Sequence, residues 1–504
     1  MNPNTNENKK LHYSQKQRHT SLGVSLGFLF PIVGTLFECS FRGMGGVFPT
    51  GFNFEFKMVN RTFVNALCKV VFFCILSFSG NAQPISALSE ERYRYLHSHP
   101  ELSGEEMNTA SYLKSALSKV GFTIIDSLGF HSFAGIYYNG KGPVVMYRTD
   151  MDALPIIEET GSPFSPGASI ESDKPIVRMH ACGHDFHMTT WLEVAEDLVK
   201  NKNTWKGTVI FLAQSSEETG QGAKAVVSSA NFKKLPKSDY NIAFHNTPEL
   251  KSGTVGFCDG YAFAAVDMMN ITVKGVGGHG AEPFRAVDPV LLSAYLVTEL
   301  QSIVSRNLAP NDPAVITIGA IHGGTVGNII PAQVELKLTI RSYSEEARKK
   351  ILQRIEEIGN GLAASAGLDS LHYPIYTLLD MSIPSVYNTS DMGKLLMTAL
   401  KKSDIQTATM TAKMIGEDFG VYGASKTIPS YMLWIGTTSS DDQYCPDHEG
   451  CNAPKLHTSE YFPDYTFALP LAAKTMSASI LTLLTTRPIP ITHSTSPSLK
   501  NSKQ

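Results

Sequence analysis

Cysteine is scarce in this sequence: seven occur in 504 residues, at positions 39, 68, 74, 182, 258, 445 and 451. So sparse a set excludes a fold built on disulfides. Only Cys445 and Cys451 stand close together outside the N-terminal region, and they would bridge if the protein is exported. An excess of charge of either sign is also missing. The formal net charge is -3 and charged residues make up 18% of the chain, so the balance gives no reason to expect nucleic acid or an acidic membrane surface as a partner. Internal repeats are absent. The apolar run from Ser21 to Phe37 is broken by Gly23, Gly27, Pro31 and Gly34 and is marginal in length for a membrane span. What remains is a globular composition, 42% hydrophobic, in a chain too long for one ordinary domain.

The two ends read differently from the middle. Residues 1–20 are polar without periodicity, the pattern of disorder. At Met58 a more specific pattern begins: Arg61 and Lys69 precede the apolar centre Val70 to Leu76, and Ser79-Gly80-Asn81-Ala82 follows. A positive flank, a short apolar core and small residues before a cut make residues 58–82 a secretory signal peptide, cleaved after Ala82, and the protein periplasmic or secreted. Residues 1–57 are then a non-native or disordered extension. An uncleaved N-terminal anchor, which would hold the protein at a membrane, is the alternative. The stretch 488–504 is rich in Ser, with Thr, Pro and Lys, and reads as a disordered tail.

From residue 84 short apolar runs alternate with helix-period segments, which predicts α/β layering. Val144 to Tyr147 reads as a buried strand leading into Arg148-Thr149-Asp150-Met151-Asp152. Gly207 to Ala213 is a second, ending at Gln214 to Glu218, and Asn241 to Phe244 a third, ending at His245. Each delivers acidic or imidazole groups at its carboxyl end, where open α/β sheets place ligands. Between residues 267 and 373 the pattern becomes strand, helix, two strands, helix. That predicts an α+β insert of ferredoxin-like type between catalytic segments 84–266 and 374–487. The predicted fold is thus a two-domain α/β protein with a mixed-sheet main domain.

The densest chemistry lies in Met179 to His187, which holds His180, Cys182, His184, Asp185 and His187. Imidazole and thiolate suit zinc and its first-row neighbours. In an extended turn residues two apart point the same way, so Cys182 and His184 can face one metal cluster, with Gly183 allowing the tight backbone. His180 and His187 are assigned supporting or helix-capping roles. Glu217 and Glu218 follow a strand, and adjacent residues of an extended segment face opposite sides. One carboxylate can then bind metal while the other serves as a base. His245, the Glu417-Asp418 pair and His457 are each weak signals alone.

Together these residues form a pattern that resembles the M20 metallopeptidases, in particular the subfamily of aminoacylases, hippurate hydrolases and indole-acetyl amino acid hydrolases. The resemblance spans about Tyr93 to Leu484. It includes Leu96 to Leu102, Arg148 to Pro155, the cysteine-histidine stretch, Glu217-Glu218, Gly277 to Ala281, His322 to Gly324 with Asn328 to Pro331, Gly416 to Phe419, and His457. It implies a site for two divalent ions, zinc or manganese with cobalt or nickel as further choices. Cys182 would bridge them, joined by His184, Glu218, His245 and His457. It also implies Glu217 as general base and Asp152 as a residue orienting a ligand. The insert would be a lid and dimerisation domain from which His279 reaches the other subunit's site, while Asn328 and Arg341 hold the substrate carboxylate. The implied activity is hydrolysis of the amide bond of N-acyl amino acids or small peptides by a homodimer. A dipeptidase or carboxypeptidase of the same fold, and a non-catalytic peptide-binding scaffold, are the competing readings. Phe284 and Ser215-Ser216 depart from the subfamily pattern at places expected near the substrate, and Tyr444 to Asn452 reads as a local insertion.

Overall fold

In the strand Thr208–Gln214 every residue is buried, and its side chains divide between two layers. Val209, Phe211 and Ala213 enter one hydrophobic core, whereas Ile210 and Leu212 enter a second. Alternation with period two, with both faces apolar, is what a central strand covered by helices on each side requires. Burying each such large side chain stabilises the fold by about 1.5–3 kcal/mol.

The computed structural model describes residues 84–166, 177–424, 426–439 and 454–486. The expected leader, N-terminal extension, C-terminal tail and insertion with Cys445 and Cys451 lie outside the described residues. The main sheet has eight strands: β1 (Thr123–Ile125), β2 (Phe133–Tyr138), β3 (Val144–Asp150), β4 (Thr208–Gln214), β5 (Tyr240–Lys251), β6 (Thr254–Phe257), β11 (Gln406–Thr409) and β12 (Ser430–Thr438). Their spatial order is β1-β2-β4-β3-β5-β12-β6-β11. The four central strands are mutually parallel, and antiparallel pairs on both flanks make the sheet mixed, as predicted. One face is packed by helices α1 (Ala87–Ser98), α2 (Met107–Lys119), α3 (His184–Lys200), α6 (Ser390–Lys402) and α7 (Tyr465–Thr485). Helix α7 is long and apolar enough to cross a membrane, but Leu469, Ala472, Met476, Ile480 and Leu483 are buried in this core. Pro470 lies inside this helix.

The insert carries strands β7 (Ala265–Lys274), β8 (Ala314–His322) and β9 (Gln333–Ser342), with helices α4 (Pro289–Ser302) and α5 (Glu345–Ser365). Asp288 and Ser344 cap the two helices by accepting hydrogen bonds from first-turn backbone N–H groups. The stretch from residue 374, expected in the main domain, opens instead with β10 (Ile375–Leu378), which pairs with β7 and completes a βαββαβ unit. Four exposed or half-exposed residues give that strand no readable alternation. Leu336, Leu338 and Ile340 of β9 pack on the insert's helices, so Thr339 and Arg341 project from the opposite face of the sheet, toward the main domain.

Helix α1 is tied to α3 by His97. Its Nδ1 lies 2.7 Å from Asp185 Oδ2 and its Nε2 3.2 Å from the Glu158 carboxylate. Burial works against the imidazolium, but the two carboxylates outweigh it and raise its pKa to about 9. The stabilisation is therefore complete below the unfolded value of about 6.5 and is lost as pH rises through about 9. The thermal midpoint of the wild type is expected to fall between pH 7 and 10, by the equivalent of up to about 3 kcal/mol. The fall should be smaller in His97→Gln; an identical slope in the variant would assign the effect to another group.

Candidate metal centre

The parallel strands bring their chemistry to one level. Asp150, the last residue of β3, pairs with Gln214, the last of β4. The β3–β5 register, Val145 opposite Tyr240 and Tyr147 opposite Ile242, places His245 beside Asp150 when continued. His245 is thus at the edge of β3 although β5 itself runs on to Lys251, past the end predicted for it.

Cys182 and His184 do converge, by a different geometry from the one expected. Gly183 has φ +80° and caps α3, whose first residue is His184, so the chain turns sharply between the two side chains. A Cβ at position 183 would lie 2.5 Å from Asn246 Nδ2, which restricts the position to glycine on space as well as conformation. His184 Nδ1 donates to the Asp152 carbonyl at 2.8 Å, with Asp152 Oδ1 at 3.3 Å, leaving Nε2 directed at the site. Asp152 Oδ2 also accepts from Ser103 Oγ and from the Glu218 backbone N–H. His245 Nδ1 donates to the Asn246 carbonyl at 2.7 Å, and its Nε2 is 3.5 Å from Cys182 Sγ. Orientation of a ring by a hydrogen bond at its far nitrogen is the usual support for a metal-ligating histidine.

Glu217 and Glu218 are separated by a turn and not by strand alternation. Ser216 has φ +58°, a left-handed conformation that swings the chain off the end of β4. Both carboxylates then come within reach of His184, but Glu217 also meets Glu417 and Asp418, whereas Glu218 meets Cys182 and His457. His457, itself left-handed at φ +64°, places Nε2 3.3 Å from Cys182 Sγ and 3.4 Å from Glu218 Oε1. Its backbone N–H donates to the Ala181 carbonyl at 2.9 Å, which ties it to the cysteine loop.

Two donor triads result, Cys182-His184-His245 and Cys182-Glu218-His457, with the thiol common to both. His184 Nε2 and Glu218 Oε1 are buried with no hydrogen-bond partner among the described residues. Buried polar atoms in that state are costly, and a cation between them removes the cost. The charge balance points the same way: Asp150, Glu417 and Asp418 share the Arg148 guanidinium, and the nearby Glu217 and Glu218 carboxylates add further negative charge beside the donors. Burial, reinforced by Glu417, Glu218 and Asp418, pushes the Glu217 carboxyl well up. Burial likewise pushes the Cys182 thiol up and the His245 ring down. The residues present fit a site for two divalent ions.

Among the supporting residues Arg148 went unassigned at the sequence level, whereas His187 and His180 were given supporting or capping roles there. Arg148 pairs with Asp150 at 2.7 Å, Asp418 at 2.8 Å and Glu417 at 3.1 Å. His187 joins Asp150 Oδ1 at 2.7 Å and accepts the Asn246 N–H at Nε2. A charged residue inside an otherwise apolar strand was the available signal for Arg148. His180 is buried with neither ring nitrogen partnered among the described residues, and burial lowers its pKa to about 4.

Other expectations fare differently. Ser215 and Ser216 turn away from the cavity: Ser215 Oγ donates to Glu106, and the Ser216 N–H donates to the same carboxylate at 2.7 Å. Phe284 is 78% exposed on the insert and lines no part of the cavity. His279 and Asn328 are likewise exposed, held together by the Gly280 N–H to Asn328 carbonyl bond, and neither lines this chain's cavity. Arg341 does line it, in a cleft of about 850 Å³ shared with Cys182, Glu217, Glu218, His245 and His457. Its guanidinium is half-buried and has no hydrogen-bond or ion-pair partner among the described residues; burial lowers its pKa.

Residues 146–461 match the model of peptidase family M20/M25/M40. The chain is 33% identical over 378 residues to the N-acetyl-L-cysteine deacetylase of Bacillus subtilis, covering 74% of this chain and 87% of that protein. It is 36% identical over 351 residues to the N-acetyldiaminopimelate deacetylase of the same organism, covering 69% and 89%. Among solved structures, a dinuclear metal-binding peptidase of the M20 family from Bacillus subtilis superimposes with a TM-score of 0.65 at 28% identity, over 79% of this chain and 98% of that one. With more than half its length matched and its two donor triads in place, the chain belongs to the M20/M25/M40 peptidase family and is a metal-dependent hydrolase.

Proposed function

We propose that the protein hydrolyses the amide bond of N-acyl amino acids, with Glu217 as general base and Arg341 as the anchor for the substrate carboxylate. The observation that carries this reading is one cleft that exposes three things: donors of two triads that share Cys182, the Glu217 carboxylate beside them, and on the facing wall the Arg341 guanidinium, without a partner among the described residues. Divalent ions held by Cys182, His184, Glu218, His245 and His457 would polarise the scissile carbonyl and acidify water. Zinc fits a thiolate and imidazole set best, with manganese, cobalt or nickel as competitors decided by supply.

Within this frame the chain's own groups divide the work. Glu217 takes the proton of the attacking water and returns it to the leaving amine. Asp152 fixes the His184 ring by its carbonyl, and the Arg148 guanidinium holds Glu417 and Asp418 behind Glu217. Arg341 offers a planar fork to a carboxylate, in surroundings that strengthen the pairing by excluding water. His279 and Asn328 are exposed on the insert, an arrangement that suits delivery to the site of a second copy. We assign them that role in a homodimer; an active monomer in sedimentation would overturn it.

Substrate chemistry tests the reading. Metal-loaded enzyme should cleave N-acetyl and N-benzoyl amino acids and should fail on the same compounds with the carboxylate blocked as an amide. Arg341→Ala should raise KM roughly 10- to 100-fold on the free acids, the value of a charge-assisted contact. Any residual cleavage of the blocked compounds, which does not use that contact, should change little. Equal activity of wild type on free and blocked substrates would remove Arg341 from carboxylate binding.

A further inference from the structure

Arg341 stands in the middle of β9, opposite Val266 of β7 on one side and Val315 of β8 on the other. A Cβ built at Gly416 would lie 2.7 Å from Val266 Cγ2, 3.0 Å from Ile383 Cδ1 and 3.4 Å from Arg341 Nη1. The guanidinium is therefore bordered by branched aliphatic groups, with the open space beside it preserved by a glycine. Met268 and Ile415 extend the same wall. Apart from Glu217, Glu218 and the metal-donor histidines, Arg341 is the one charged or titratable side chain among the described residues lining the cleft, besides the Cys182 thiol.

We propose that this site selects N-acyl amino acids whose amino-acid side chain is apolar and rejects side chains that carry a second charge. The inference rests on the amide-hydrolase reading and on Arg341 as carboxylate anchor. The side chain and the carboxylate of an amino acid leave the same Cα, so a carboxylate held by Arg341 brings the side chain against Val266, Met268, Ile383 and Ile415. An apolar group gains there by leaving water. A distal ammonium or second carboxylate would lose water and find no partner. The two kinds of relative named above differ in this respect, since cysteine has an uncharged side chain whereas diaminopimelate carries a second ammonium and a second carboxylate. The wall around Arg341 suits the first kind of substrate.

The experiment compares kcat/KM of metal-loaded, full-length enzyme on N-acetyl derivatives of methionine, leucine and phenylalanine with those of lysine, glutamate and diaminopimelate. The apolar set should be favoured roughly 10- to 100-fold, the penalty for an unpaired polar group. Ile415 is 50% exposed and tolerates a polar substitute. Ile415→Glu, with metal content and thermal midpoint retained, should move the lysine-to-methionine ratio about two- to fivefold toward lysine, by supplying the missing partner. Equal or reversed preference in the wild type would overturn the inference, and so would an unchanged ratio in the variant. Failure to cleave any of the six compounds at full metal loading would instead overturn the amide-hydrolase reading beneath it.

Discussion

Glu217→Gln is expected to lower kcat by on the order of 10²- to 10⁴-fold while metal content and KM stay near those of the wild type. Glutamine keeps the size and polarity of the side chain but cannot accept the proton of the attacking water. The position is suited to proton transfer because the carboxyl does not sit at its ordinary value: burial and the neighbouring Glu417, Glu218 and Asp418 raise it well above the usual carboxylate range. Cations bound at the adjacent donors would oppose that rise, bringing the group toward the working pH. Arg148 keeps the pair behind it from repelling it outright, through contacts of 3.1 Å to Glu417 and 2.8 Å to Asp418. Near-normal turnover in the variant would sink the assignment. Loss of metal together with activity would make Glu217 a ligand, a role its closeness to His184 and Glu218 allows.

Removal of the metals should take activity to background and lower the thermal midpoint, with both restored by added divalent ions. The stabilisation follows from mass action, about 2.7 kcal/mol for each site filled at a hundredfold excess over Kd. Its structural source is the pair of buried orphaned atoms, His184 Nε2 and Glu218 Oε1. The shared thiol makes a sharper test. Cys182 belongs to both triads and His245 to one, so Cys182→Ser should lose both ions while His245→Ala keeps one. Equal stoichiometry in the two variants would break the assignment of Cys182 as the common ligand. Loading should also weaken as pH falls, because burial holds the empty-site Cys182 as a protonated thiol and binding must displace that proton.

The fold class and the cysteine-histidine and double-glutamate motifs were legible because their signals are local, whereas His245 and His457 stood out only through the family resemblance. β3 and β4 announce themselves as continuous apolar runs, and such runs in an α/β chain belong to central parallel strands whose carboxyl ends carry ligands. Cys182 and His184 are two residues apart, and Glu217 follows β4 within three. The insert's strands and capped helices could be read in the same way. β10 could not, since its residues alternate in neither burial nor polarity and only pairing with β7 defines it.

Contacts between distant segments were not legible. His457 lies 275 positions from Cys182, and Asp418 lies 270 from Arg148, yet each pair is in contact. Local geometry was hidden as well: the left-handed turns at Gly183, Ser216 and His457 aim the ligands, but a left-handed serine or histidine carries no mark in the sequence. Ser215 and Ser216 were expected beside the substrate and instead bind Glu106.

The sequence by itself thus determined the architecture and the resemblance to the family, which depend on period, strand ends and the order of short motifs. The tertiary structure alone decided that Glu217 lies against a second acidic pair and that Arg341, without a partner among the described residues, stands among aliphatic side chains. Those facts are set by register and turn conformation, which bring together residues hundreds of positions apart.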